Sequence, residues 1–144
     1  MESTGTAFIH LECSKCGTEY SRNKIYNLSP CCSLPLFPIY DLDKAHNSFN
    51  KNDLLGRPPN MWRYKEMMPV NYEENITTLG EGFTSLEPAD SLGKILGFKN
   101  LFLKNESINP TGSFKDRGMS AAISKAKEFG LNKISIPTAG NAGG

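Results

Sequence analysis

The stretch Lys104-Asn105-Glu106-Ser107-Ile108-Asn109-Pro110-Thr111-Gly112-Ser113-Phe114-Lys115-Asp116-Arg117-Gly118 constrains this chain more than any other. Leu101-Phe102-Leu103 before it is a short apolar run suited to a buried strand, and Met119, Ala122, Ile123 and Ala126 after it recur at helical spacing. The pattern predicts a strand over 100–104, a turn, and a helix from Ser113 to Phe129 ending at Gly130. Proline fixes its own φ and glycine permits φ > 0, so Asn109-Pro110-Thr111-Gly112 is strong turn chemistry. Ser113 followed by Asp116 reads as a capping-box variant. Lys115 then falls in the first helical turn, where the positive helix end and burial in a cleft both favour a neutral, nucleophilic amine. Lys133-Ile134-Ser135-Ile136 is the next expected strand, making 100–136 a βαβ unit with parallel strands. Lys115 and Asn141 both follow the carboxyl ends of those strands, where open α/β sheets bind ligands.

Asn109-Pro110-Thr111-Gly112-Ser113-Phe114-Lys115-Asp116-Arg117-Gly118 resembles the lysine motif of pyridoxal-phosphate enzymes of the tryptophan-synthase-β type, in particular the threonine synthases. Ile136-Pro137-Thr138-Ala139-Gly140-Asn141-Ala142-Gly143-Gly144 is similar to a loop of that family, Leu79-Gly80-Glu81-Gly82-Phe83-Thr84-Ser85-Leu86 to its Gly-Glu-Gly-x-Thr-Pro-Leu, and Met61-Trp62-Arg63-Tyr64 to its N-terminal region. The resemblance implies that Lys115 carries pyridoxal 5'-phosphate as a Schiff base and that Asn141 bonds the ring 3-hydroxyl. It implies conversion of O-phospho-L-homoserine and water to L-threonine and phosphate, a carbon–oxygen lyase reaction. Cysteate synthases and threonine dehydratases, with similar lysine motifs, remain alternatives. The cofactor's phosphate loop and the partner of its pyridine nitrogen lie further along in the family, so residues 1–144 read as the N-terminal part of a longer protein and are expected to be inactive alone.

Cys13-Ser14-Lys15-Cys16-Gly17 is a knuckle that places two thiolates around one tetrahedral zinc, and Cys31-Cys32 follow later. Threonine synthases often carry an N-terminal zinc-ribbon-like segment ending in Tyr-Asp-Leu. Tyr40-Asp41-Leu42 fits that ending, which by resemblance puts Cys32 at the last ligand position and Ser29 where another cysteine would stand. Serine is a poor zinc ligand. Cys31 replaces it only through an altered turn, because neighbours in extended backbone point apart. The open readings are a zinc site of Cys13, Cys16 and Cys32, a ribbon that has lost its metal, and, on oxidation, a disulfide. A binding module of this kind on a catalytically inactive scaffold is the alternative of another class.

The expected fold class is therefore α/β: the start of an open parallel-sheet, tryptophan-synthase-β-like domain over 79–144, a zinc-ribbon-like β module over 1–43, and an irregular connection over 44–78. Within the connection, Asp53 to Arg57 is expected to form one helical turn, and Met61 to Met68 to pack on the main domain or on a partner subunit, so a homodimer is kept open. Trp62 reads as a packing anchor, Phe114 as core behind the lysine, Asp116 as a helix-start acid and Arg117 as an ion-pair partner. Sixteen Lys plus Arg against fifteen Asp plus Glu leave no electrostatic footprint for nucleic acid or an anionic membrane. No apolar run is long enough to span a bilayer, Met1-Glu2-Ser3-Thr4-Gly5 lacks signal-peptide character, and four cysteines in that context suggest reduced thiols or a metal. A cytoplasmic location is the expectation.

Overall fold

A computed structural model describes residues 1–144. The first unit is a three-stranded antiparallel sheet of β1 (Phe8–Cys13), β2 (Glu19–Ser21) and β3 (Leu36–Tyr40) in the order β2-β1-β3. Register pairs Leu11 with Tyr20 and Cys13 with Leu36, with an irregularity between Phe8 and His10. Buried Phe8 packs on Tyr40 at 5.5 Å between ring centroids. Asp41 then caps helix α1 (Leu42–Ser48) by accepting from the Lys44 N–H at 2.8 Å. This helix straddles residue 43, so structure begins earlier in the connection than the sequence suggests.

The residues before β1 tie this sheet to the connection. Thr4 N–H donates to Asn71 O at 3.0 Å, Thr4 Oγ1 to Val70 O at 2.6 Å, and Ala7 N–H to Glu66 O at 2.7 Å. Asp53–Gly56 forms the expected single turn, of 3-10 type, and Met61–Met67 a kinked 3-10 segment. Met61, Trp62 and Val70 are the buried apolar cluster, with Met68, Ile76 and Ala121 packed on it. Trp62 is the packing anchor expected of it. Its indole N–H donates to Ser120 Oγ at 2.9 Å, and Ser120 Oγ donates to Thr77 O at 2.7 Å.

Helix α2 (Asp90–Leu96) stops at Gly97, and β4 (Leu86–Pro88) pairs antiparallel with β5 (Phe102–Lys104). The lysine-bearing helix α3 runs over Lys115–Glu128. Its buried face is Asp116, Ser120 and Ser124, one residue per turn, while Met119, Ile123 and Ala126 are only half-buried and Ala122 is exposed. The serines sit inside because each is spent on backbone: Ser124 Oγ accepts from Thr77 N–H at 2.8 Å. Two expectations are corrected here. Residues 133–136 form no strand and no parallel pair occurs: β5 pairs only with β4, and strand character at 133–136 needs a partner that none of these strands supplies. Ile134 and Ile136 line a cavity of about 320 Å³ together with Met119 and Ile123. Phe114 is 64% exposed, so it is not core; it lies at the helix entry, off the face that α3 buries.

Gly82 shows how closely the Gly-Glu-Gly loop is fitted to the connection. It has φ +100°, and a β carbon there would lie 2.6 Å from Met61 N. Met61 N–H donates to Glu81 O at 2.8 Å, so the backbone has no room to retreat. Gly82→Ala is expected to destabilise by about 2–4 kcal/mol, from a disfavoured φ added to overpacking against backbone. A shift in thermal midpoint measures it, and an unchanged midpoint contradicts the close approach.

Candidate functional site

Between β5 and α3 the chain makes a 3-10 turn, Glu106–Ile108, and then the Asn109-Pro110-Thr111-Gly112 turn closed by Gly112 N–H on Asn109 O at 2.7 Å. Asn109 is buried and joins two motifs: its Nδ2 donates to Glu106 Oε2 at 3.0 Å, and its Oδ1 accepts from Gly82 N–H at 3.0 Å. The expected capping box is rearranged. Ser113 Oγ accepts from Lys115 N–H at 3.3 Å, but the Asp116 carboxylate reaches back to Thr111, accepting from its N–H at 2.8 Å and from its hydroxyl. Asp116 is thus a helix-start acid, as read, with a partner two residues earlier than the motif suggests.

Arg117 is the expected ion-pair partner. Its Nε donates to Glu106 Oε2 at 2.7 Å and its Nη2 to Glu106 Oε1 at 2.8 Å, a bidentate pair. Thr84 Oγ1 also donates to Glu106 Oε1, at 2.6 Å. Arg117 and the Thr84 hydroxyl hold the Glu106 carboxyl down at about 2, well below the usual carboxylate range. The pair pins the first turn of α3 to the loop after Gly82.

Lys115 sits on this braced turn, exposed, and its amine has no hydrogen-bond or ion-pair partner. Asn141 opens a final 3-10 turn, Asn141–Gly143, and its Nδ2 donates to Thr111 O. Its amide also lies 3.5 Å from where a β carbon on Gly112 would be. Asn141 thus meets the Thr111-Gly112 turn, which precedes Lys115 by only a few residues of the same loop. Glu81, Glu106 and Asn109 were not singled out from sequence. Glu81 is 1% exposed, accepts from Thr78 Oγ1 at 2.9 Å and Leu79 N–H at 2.8 Å, and lines the cavity beside α3. Its place between two glycines was the available signal.

The second cluster lies at the ends of β1 and β3. The Sγ atoms of Cys13, Cys16, Cys31 and Cys32 all lie within 4.8 Å of one another, and all four thiols are free. Cys31 Sγ is 3.3 Å and Cys32 Sγ 3.6 Å from Cys16 Sγ. Residues 30–33 form a turn, so the two neighbouring cysteines do not point apart as they would in extended backbone. Cys13 Sγ lies 3.3 Å from Ser29 Oγ, and that contact with the Lys15 and Cys16 N–H groups lowers its thiol to about 6.

A family model described as pyridoxal-phosphate dependent enzyme matches residues 77–144, the segment that holds the Gly-Glu-Gly loop, the Lys115 turn and Asn141. That match covers just under half of the 144 residues. Over 133 residues, 92% of this chain, it is 42% identical to a threonine synthase of Methanosarcina acetivorans. It is 40% identical over 129 residues, 90% of the chain, to a threonine synthase of Methanocaldococcus jannaschii. A threonine synthase of Halalkalibacterium halodurans is 51% identical over 78 residues, 54% of the chain and 22% of that protein. The chain spans about a third of the length of the two archaeal relatives, 32% of each. No helix is long and apolar enough to cross a membrane.

Proposed function

We propose that the full-length protein is a pyridoxal-phosphate-dependent threonine synthase acting on O-phospho-L-homoserine, with residues 79–144 beginning its catalytic domain. The observation that carries this reading is the docking of Asn141 on Thr111, in the turn that leads into Lys115 at the start of α3. The residues fit the cofactor. Lys115 offers an unpartnered amine for an aldehyde, and Asn141 keeps its second amide N–H for a ring oxygen after spending the first on Thr111. Pyridoxal phosphate, when bound, supplies an electron sink for charge developing beside the substrate's α carbon. Lys115 would hold the cofactor and, once displaced by the substrate amine, carry the proton at Cα. Asp116 and the Glu106–Arg117 pair keep the turn beneath Lys115 in one conformation, which limits how far the amine must be ordered before reaction. Residues 1–43 are a zinc-ribbon-like module in this reading, with Cys13, Cys16 and Cys32 among the ligands of one zinc.

The test uses the full-length protein with pyridoxal phosphate. Borohydride reduction followed by peptide mapping is expected to place the label on Lys115, and phosphate release from O-phospho-L-homoserine is expected to exceed deamination of L-threonine. A label elsewhere removes Lys115 from the assignment, and a preference for threonine deamination moves the protein to the dehydratases.

A further inference from the structure

We propose that the metal of the cysteine module is held by four thiolates, with Cys31 as the fourth ligand, and that Ser29 serves as a hydrogen-bond donor to Cys13 rather than as a ligand. The inference rests on the metal-binding reading of residues 1–43 and concerns a departure particular to this chain.

The two knuckles repeat the same backbone. In the first, Cys13 N–H donates to Thr18 O and Gly17 N–H to Cys13 O, both at 3.0 Å. In the second, Ser29 N–H donates to Leu34 O and Ser33 N–H to Ser29 O, both at 2.8 Å. Gly17 and Ser33 occupy the same left-handed position, with φ of 73° and 53°. Residue by residue, Ser29 matches Cys13, Cys32 matches Cys16, and Cys31 falls on the position of Lys15. Ser29 therefore stands where an ordinary second knuckle has its first cysteine, and Cys31 is the extra thiol.

Ser29 is unsuited to the ligand role. It is 1% exposed, and its Oγ already accepts from Leu34 N–H at 3.1 Å while lying 3.3 Å from Cys13 Sγ. In the free thiol the bond runs from Cys13 S–H to Ser29 Oγ; a metal-bound Cys13 has no proton to give, and at the same 3.3 Å the Ser29 hydroxyl then turns its own proton to the sulfur. Cys31 is placed to supply the missing charge. Its N–H donates to Tyr20 Oη at 3.1 Å, fixing the turn, and its Sγ approaches Cys16. Four sulfurs in tetrahedral zinc coordination stand roughly 3.8 Å apart, from bonds of about 2.3 Å. The cluster, with all four within 4.8 Å and two contacts at 3.3 and 3.6 Å, needs little adjustment to accept the ion.

The experiment measures zinc content and cobalt(II) absorption of the full-length protein, with zinc affinity read by chelator competition. Wild type is expected to hold one zinc, and its cobalt form a thiolate-to-metal band of four-sulfur intensity. Cys31→Ser is expected to weaken zinc by more than the roughly 100-fold typical of losing an outer-shell partner, and to cut the band by about one quarter. Ser29→Ala is expected to weaken zinc by about 10–100-fold with the band unchanged. The double variant Ser29→Cys, Cys31→Ser rebuilds an ordinary knuckle and is expected to restore both readouts, which separates ligand loss from misfolding. Wild-type affinity and band in Cys31→Ser alone would overturn the inference while leaving a metal site standing. A metal-free wild type overturns the metal reading itself.

Discussion

Lys115→Ala in the full-length protein is expected to lose at least about 10³-fold of phosphate release from O-phospho-L-homoserine, with folded stability changed by less than about 0.5 kcal/mol. The two halves of that expectation come from the same geometry. The side chain is exposed and makes no ion pair, so deleting it breaks no packing. The turn beneath it is held by other residues, through Asp116 on Thr111 and Arg117 on Glu106, and remains when the amine is gone. Under the proposed function, what disappears is the nucleophile and proton carrier alone. Lys115→Arg separates charge from chemistry: a guanidinium keeps the positive charge but stays protonated, so it is expected to be as inactive as alanine. A variant of either kind that keeps a tenth of wild-type turnover removes Lys115 from the reaction.

Arg117→Ala is expected to cost about 1–3 kcal/mol in stability, because it leaves the partly buried Glu106 carboxylate without its bidentate partner. The effect is pH-dependent. The folded Glu106 carboxyl is held at about 2, below the ordinary value of 4.5, so its contribution is fully present above about pH 4.5 and is lost as pH falls through about 2. Thermal midpoints of wild type and Arg117→Ala should therefore differ most near neutrality and converge in acid. A gap that stays constant from pH 7 to pH 2.5 would show that the arginine acts through something other than this carboxylate. Activity should fall with the pair as well, since the turn that presents Lys115 is tied to the Gly-Glu-Gly loop through Glu106 and Asn109.

The lysine turn was legible because it is built from local chemistry: proline, glycine and short-range side-chain bonds set it almost regardless of what surrounds it. Helix α3 and the role of Trp62 followed from periodicity and size in the same way. The parallel sheet was not legible from these residues. Strand character at Ile134 and Ile136 is a property of a neighbour, and β5 pairs only with β4. The apolar stripe of α3 misled for a related reason. Met119 and Ile123 face a cavity, whereas the close-packed face is polar and satisfied by Thr77. Asn141 was reached both by resemblance and from its place after an expected strand at 133–136; that strand does not form, and the contact of Asn141 with Thr111 depends on tertiary placement. At the cysteines, adjacency argued against Cys31 only under an extended backbone, and the turn over 30–33 removes that premise.

Trp62 is the only tryptophan in these 144 residues, and its indole N–H ends on Ser120 in the helix that begins with Lys115. An indole in an apolar pocket with a single fixed hydrogen bond emits differently from one released into water. The fluorescence of this segment is consequently an optical reading of whether the lysine helix is seated, available without any label.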